Sequence, residues 1–331
     1  MAQLALPPSD TPMTALSIRP IALDEIEAAR HRIAATTIRT PLVKLQLGAG
    51  FPDVRLKLEN LQPINAYKLR GAANAVALLS DADRAKGVWT ISAGNAGQGV
   101  AYAARAAGVP CTVVVIGSAP QAKLDRMKAL GARLVPVSYD VAWKALEDRA
   151  YPGVEGTFVH PFDDHDFIAG HGSIGLEILE DEPNTKAVIC GIGGGGLLAG
   201  VASAVKAKAP QVKMFGVEPE TAAPAAQAHR TGAPGPYKDW QPSFVDGAGG
   251  QSMFPRMWDR IRPITDDFFV VSLDETRAAM KVLAEKARVI AEGAGALSVA
   301  AAIKGLAGDG PVVAVVSGGN IDLKKFCELV S

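Results

Sequence analysis

An α/β fold with largely parallel sheets is what this sequence predicts, and three observations carry the prediction. Short apolar, β-branched runs recur along the chain, segments of helical period separate them, and 331 residues suffice for two lobes that each bury a core.

The runs at residues 54–59, 88–92, 111–116, 134–137, 187–192, 214–218 and 312–316 read as buried strands. Between them, Val100, Ala103, Ala104 and Ala107 recur at helical spacing and stop at Gly108, and Leu198, Val201, Ala202 and Val205 repeat the pattern. This alternation is the signature of strand, crossover helix and parallel strand. The least regular region, residues 231–255, is rich in Gly, Pro and Ser and reads as a long functional loop or a surface crossing. No internal repeat interrupts the pattern.

Composition excludes several function classes. Apolar residues make up 48% of the chain, and Lys+Arg equals Asp+Glu at 34 each, so neither a disordered tail protein nor a nucleic-acid binder is indicated. Cys111, Cys190 and Cys327 are odd in number and have no C-x-x-C spacing, which argues against disulfides or a zinc knuckle and points to a reducing, cytoplasmic compartment. Residues 1–19 carry three prolines and no basic patch leading into an apolar run, so they read as a loose tail and not a signal peptide. Residues 187–205 lack charge over nineteen positions, close to a membrane span, but six of the nineteen are glycine. A strand, a tight loop and a helix start explain that stretch, and no membrane partner is expected.

The glycine cluster carries chemistry. Gly191-Ile192-Gly193-Gly194-Gly195-Gly196-Leu197 follows a strand and opens a helix, where unpaired N–H groups and the helix dipole favour a phosphate. Taken alone it also satisfies G-x-G-x-x-G, with Glu218 placed as a ribose-binding acid would be, so a nicotinamide-dependent oxidoreductase is a rival reading. Lys68 stands at a strand–loop–helix junction; by composition alone it is a solvated charge.

The surrounding motif changes that. Tyr67-Lys68-Leu69-Arg70-Gly71-Ala72 resembles the cofactor-lysine motif of the fold type II pyridoxal phosphate enzymes, specifically the threonine/serine dehydratase and serine racemase branch. The resemblance continues in chain order through Ser92-Ala93-Gly94-Asn95-Ala96-Gly97-Gln98, Glu177 after Gly170-His171-Gly172-Ser173, the glycine run, Val217-Glu218-Pro219 and Ser317-Gly318-Gly319-Asn320. It covers roughly the whole chain after the tail and implies a two-domain, tryptophan synthase β-like fold of open parallel-type sheets flanked by helices. It also implies a large cofactor-binding domain from residues 20–86 and 164–331, with a small domain at 87–163 inserted into it. No C-terminal regulatory domain is expected, since only eleven residues follow Asn320.

Carried over residue by residue, the resemblance implies pyridoxal 5'-phosphate as cofactor, joined to Lys68. Gly193, Gly194, Gly195, Gly196 and Leu197 would offer N–H groups to its phosphate, Asn95 would bond its ring hydroxyl oxygen, and Ser317 would face its pyridine nitrogen. The turn with Ser92, Gly94 and Asn95 would hold the substrate carboxylate. The implied reaction is elimination of water from a β-hydroxy amino acid, with Lys68 removing the Cα proton and a 2-oxo acid and ammonia as products. Threonine, serine, 3-hydroxyaspartate and phenylserine are candidate substrates, and a homodimer or higher homo-oligomer is the implied assembly.

The chain departs from the family pattern at several positions. Asn65-Ala66-Tyr67 replaces Gly-Ser-Phe before the lysine, Ala96 replaces a histidine, and His171 replaces a glutamine. The racemase's second acid/base serine is Ala93, which favours elimination over racemisation or another lyase reaction. Glu218 and Ala222 match the racemase's cation site, but its further carboxylate is Pro224, so no metal is expected. The cluster of His160, Asp163, Asp164, His165, Asp166 and His171 fits no metal-ligand template.

Overall fold

The computed structural model describes residues 18–117 and 121–331. Most of the expected loose tail, residues 1–17, lies outside the described residues.

α1 (Leu23–Ile33) leads to the antiparallel pair β1 (Leu42–Lys44) and β2 (Val54–Lys57), then to α2 (Lys68–Ala77) and the short α3 (Asp81–Lys86). A run of alternating elements follows: β3 (Val88–Ile91), α4 (Asn95–Ala107), β4 (Cys111–Ile116), α5 (Gln121–Ala129), β5 (Arg133–Val137), α6 (Tyr139–Asp148) and β6 (Thr157–Phe158). The rest of the chain supplies α7 (His165–Asp181), β7 (Ala187–Gly191), α8 (Gly196–Lys208), β8 (Lys213–Pro219), α9 (Pro224–Thr231), α10 (Pro255–Ile261), β9 (Asp267–Val271), α11 (Leu273–Val282), α12 (Gly293–Ile303), β10 (Val312–Val315) and α13 (Leu323–Val330).

Two sheets result. The larger has the order β1-β2-β10-β7-β8-β9 and is parallel except for β1, and the smaller is parallel throughout, in the order β5-β4-β3-β6. Each run expected to be a strand is one. The sequence reading passed over β1, β6 and β9, and all three are edge strands. An edge strand has one bonded neighbour and less burial, so it needs no continuous apolar run. Central β10 is buried at every position, whereas β9 opens on an exposed Asp267.

The cores lie on the faces of the sheets. One apolar cluster of the large sheet packs α1, α7, α8 and α10 on one face, and another packs α11, α12 and α13 on the other. Residues 187–205 form β7, a tight loop and most of α8; among the described residues no helix is long and apolar enough to cross a membrane.

Helix packing places the candidate lysine. α2 crosses α7 so closely that a Cβ on Gly71 would lie 2.5 Å from the Phe167 carbonyl oxygen, and one on Gly170 would lie 2.3 Å from that of Arg70. Only glycine permits this backbone approach. Behind the crossing, Arg70 is 1% exposed and forks onto two buried carboxylates, Glu59 and Glu177, while buried Lys57 pairs with Glu177. Two cations and two anions thus balance beneath the start of α2.

Candidate active site

A cavity of about 480 Å³ lies between the two sheets, within the usual size range of small-molecule sites. Tyr67, Lys68, Asn95, Gly193, Gly194 and Ser317 all line it, although they come from four separate segments. The loop at 231–255 also reaches it, through Asp246, Gly247, Gly249 and Gly250.

Lys68 is the first residue of α2, and its Nζ donates to the Pro161 carbonyl. The amine lies 5.1 Å from the Tyr67 ring centre and 5.4 Å from that of Phe167. Burial lowers its pKa to about 7, so a large share of the amine is neutral and nucleophilic near neutrality.

The strap before Lys68 explains one departure from the family motif. Asn65 has φ +56°, the left-handed region that glycine adopts freely and asparagine tolerates better than most residues. The replacement of glycine by Asn65 therefore preserves the turn. The Tyr67 N–H donates to the Ser317 carbonyl (3.0 Å) and the Gly319 N–H donates to that of Asn65 (2.9 Å), joining the lysine strap to the loop after β10. Ser317 is buried, and its hydroxyl donates to the Ala294 carbonyl (3.3 Å). The N-cap of α13 is Asp322, which leaves Ser317 facing the cavity.

The glycine loop fits a phosphate. Between β7 and α8, no N–H from Gly193, Gly194, Gly195, Gly196 or Leu197 donates to another group among the described residues, and all five belong to the loop and helix start where donors are orphaned. Space allows no side chain: a Cβ on Gly194 would meet the Phe162 ring at 2.1 Å, and one on Gly193 would meet the Gly247 carbonyl oxygen at 2.8 Å. Gly195 takes φ +87° as the N-cap of α8. Of this loop Gly193 and Gly194 line the cavity, while Gly195, Gly196 and Leu197 follow behind them and the Leu197 side chain lies in the core. This donor-rich cradle fits the cofactor phosphate implied by the resemblance.

A second donor cluster lies opposite. Gly94 caps α4, its own N–H donates to Ser92 Oγ (3.1 Å), and the N–H groups of Asn95, Ala96 and Gly97 have no partner among the described residues. Asn95 is less free than the sequence reading assumed. Its Nδ2 donates to Glu292 Oε1 (2.6 Å), and its Oδ1 accepts from Asn320 Nδ2 (2.8 Å).

Glu292 was missed by the sequence reading. It is 6% exposed, lines the cavity, and burial together with the nearby Asp246 charge pushes its carboxyl up to about 7, against the Asn95 hydrogen bond. In the sequence it reads as an acid at the head of a helix, and no local signal pairs it with a residue almost two hundred positions earlier.

The other candidates separate. Glu218 accepts the N–H groups of Ala225 (2.9 Å) and Ala226 (2.8 Å) and so caps α9, while burial pushes its carboxyl up to about 8. It serves as a helix cap, which removes the support it lent to a ribose-binding role. His160 Nδ1 accepts from the Asp163 N–H, His165 bonds Glu25, and fully buried His171 stands edge-on to Tyr67 and Phe167 with neither ring nitrogen partnered. Among the described residues, no group of three His, Cys, Asp or Glu is placed to hold a metal.

The family described as pyridoxal-phosphate dependent enzyme matches residues 33–318. An L-threonine ammonia-lyase of Thermotoga maritima is 37% identical over 318 residues, covering 94% of this chain and 78% of that protein. A catabolic L-threonine dehydratase of Staphylococcus aureus is 38% identical over 320 residues, covering 94% and 92%. Among solved structures, maize serine racemase superposes with a TM-score of 0.84 at 30% identity, covering 93% of this chain and 96% of that one.

Proposed function

Since the chain belongs to the pyridoxal-phosphate dependent enzymes and is a lyase of that family, we propose that it removes water from a β-hydroxy amino acid, threonine or serine or a 3-substituted serine, giving a 2-oxo acid and ammonia. The observation that carries this reading is the opposition, across one cavity, of a lysine amine with a pKa near neutrality and two clusters of unpartnered N–H groups.

The N–H groups of Asn95, Ala96 and Gly97 hold the substrate carboxylate, with Ser92 Oγ fixing the turn through Gly94. The N–H groups of Gly193, Gly194, Gly195, Gly196 and Leu197 hold the cofactor phosphate. When bound, the cofactor supplies an electron-withdrawing ring that stabilises negative charge at Cα. Lys68 anchors it and then removes the Cα proton, a step suited to an amine whose pKa lies near 7. The Cα–H and Cβ–O bonds break and water leaves. The enamine product takes up water in solution and loses ammonia. Ser317, being neutral, would give the ring nitrogen no charged partner, while Asn95, held by Glu292 and Asn320, would bond the ring hydroxyl.

The racemase likeness supports a second reading, inversion at Cα. Ala93 lines the cavity where that reaction needs a proton donor on the far face, and a methyl group has no proton to give. Elimination therefore dominates. We read residues 87–163, which contain the whole small sheet, as a small domain inserted into the large one. The three free cysteines fit a reducing cytoplasm.

The test is turnover of the cofactor-loaded protein with serine and threonine, measuring 2-oxo acid and ammonia, beside Lys68→Ala. Stoichiometric release by wild type and none by a folded Lys68→Ala protein is expected. Turnover by Lys68→Ala would refute the mechanism.

A further inference from the structure

Beyond the two donor clusters the cavity is bounded by an apolar chamber. Its walls are Ile91 on β3, Val114 and Ile116 on β4, and Ala142, Trp143 and Leu146 on α6. Ile91 directly precedes Ser92, so the chamber begins beside the turn that holds the carboxylate. At its rim the Tyr139 and Trp143 rings run nearly parallel, 13° apart with centres 6.2 Å apart, and Tyr139 is 44% exposed.

Trp143 is held in place before any ligand arrives. Its Nε1 donates to Glu147 Oε1 (2.8 Å), and its ring stands edge-on to Phe254 with centres 5.6 Å apart. A pre-set aromatic wall binds an apolar group with little loss of side-chain freedom. The charged side chains lining the cavity are otherwise committed: Lys123 pairs with Asp246, Lys68 serves the chemistry, and Glu292 is itself an acid. Among the described residues that line the cavity, no further cation stands ready for a carboxylate on Cβ.

We propose that the preferred substrate carries on Cβ an apolar group larger than methyl, of the size of a phenyl ring, and that this chamber takes it. The inference rests on the dehydratase reading and specifies its substrate class. With the carboxylate at the start of α4 and the amine at Lys68, Cα is fixed between them. The β-substituent then has the apolar chamber on one side and side-chain-free Gly247, Gly249 and Gly250 on the other. One extra methylene in such a pocket changes kcat/KM by roughly 10- to 200-fold, so a ring against a methyl is worth at least about tenfold.

The experiment compares kcat/KM of the cofactor-loaded protein for serine, threonine, and the stereoisomers of 3-phenylserine and 3-hydroxyaspartate. A phenylserine isomer is expected to exceed threonine by at least about tenfold. Ala142→Phe, which fills the chamber, should lower the phenylserine-to-serine ratio by a similar factor. Trp143→Arg, at the half-buried rim, should move the preference toward 3-hydroxyaspartate. Fluorescence of Trp143 titrated with phenylserine reports occupancy independently of turnover. Deamination of serine or threonine with phenylserine inert overturns the inference and leaves the dehydratase reading standing. Absence of 2-oxo acid from all of these compounds overturns both.

Discussion

Arg70→Met tests the charge balance beneath Lys68 and the start of α2. Besides a bond to the Ile38 carbonyl (3.2 Å), the guanidinium makes five to side chains: two to Glu59 (both 2.8 Å), two to Glu177 (2.7 and 2.8 Å) and one to Ser173 Oγ (3.0 Å). All three of these side chains are buried, so water does not replace the lost bonds. Methionine keeps much of the volume but leaves two carboxylates facing Lys57 alone. Breaking a buried pair by removing one partner costs about 3–5 kcal/mol, because the remaining charge stays desolvated. With a urea dependence of about 3 kcal/mol/M, the unfolding midpoint should fall by about 1–1.7 M.

The pH dependence supplies a sign check on the same variant. Burial opposes ionisation of Glu59, and in the native protein the Arg70 charge outweighs it and holds the carboxyl below the usual range. Without Arg70, burial is opposed by little more than the Thr40 hydrogen bond and the Lys57 charge, and the folded-state pKa rises above the unfolded value of about 4.3. A raised folded pKa leaves stability intact below the unfolded pKa and removes it as pH rises, so the deficit should be larger at pH 8 than at pH 5. Adding Glu59→Gln should recover part of the loss, with a coupling of about 2–3 kcal/mol in the double-mutant cycle. The assay is urea unfolding followed by far-ultraviolet circular dichroism. A deficit below about 1 kcal/mol, or absent coupling, would refute the argument from charge balance.

Three further outcomes are expected. Covalent capture of pyridoxal phosphate by the cofactor-free protein, followed by absorbance, should speed up as pH rises and level off above about 7, where Lys68 is neutral; a rate still climbing at pH 9, as for an ordinary lysine with a pKa near 10.4, would count against the site. Gly194→Ala should weaken cofactor retention in equilibrium dialysis by at least about tenfold, because the new methyl meets the Phe162 ring at 2.1 Å and displaces the loop; unchanged retention would remove the cradle argument. Ala93→Ser places a hydroxyl on the cavity wall and should raise the inverted fraction of substrate in chiral chromatography run beside 2-oxo acid measurement, whereas wild-type inversion as fast as deamination would favour the racemase reading.

Strands buried on both faces announce themselves, because each position must be apolar for its own reasons; β3, β4, β7, β8 and β10 were legible on that ground. The glycine run was legible too, since consecutive glycines weaken any regular element and stand where backbone must approach something closely. Lys68 was legible only through its neighbours in the motif. By itself, then, the sequence determined the α/β class, the order of the central elements and the places where glycine-rich turns leave backbone donors unpartnered among the described residues. The tertiary structure alone decided which distant residues meet. It brought Glu292 to Asn95, set Phe162 against Gly194, capped α9 with Glu218, and closed Arg70 between Glu59 and Glu177. It also assembled an apolar chamber from two strands and a helix whose residues, read in order, look like ordinary core. The physical reason is that local periodicity records only how deeply each side chain is buried. The partner that a buried charge, glycine or ring finds is fixed by packing between segments far apart in the chain.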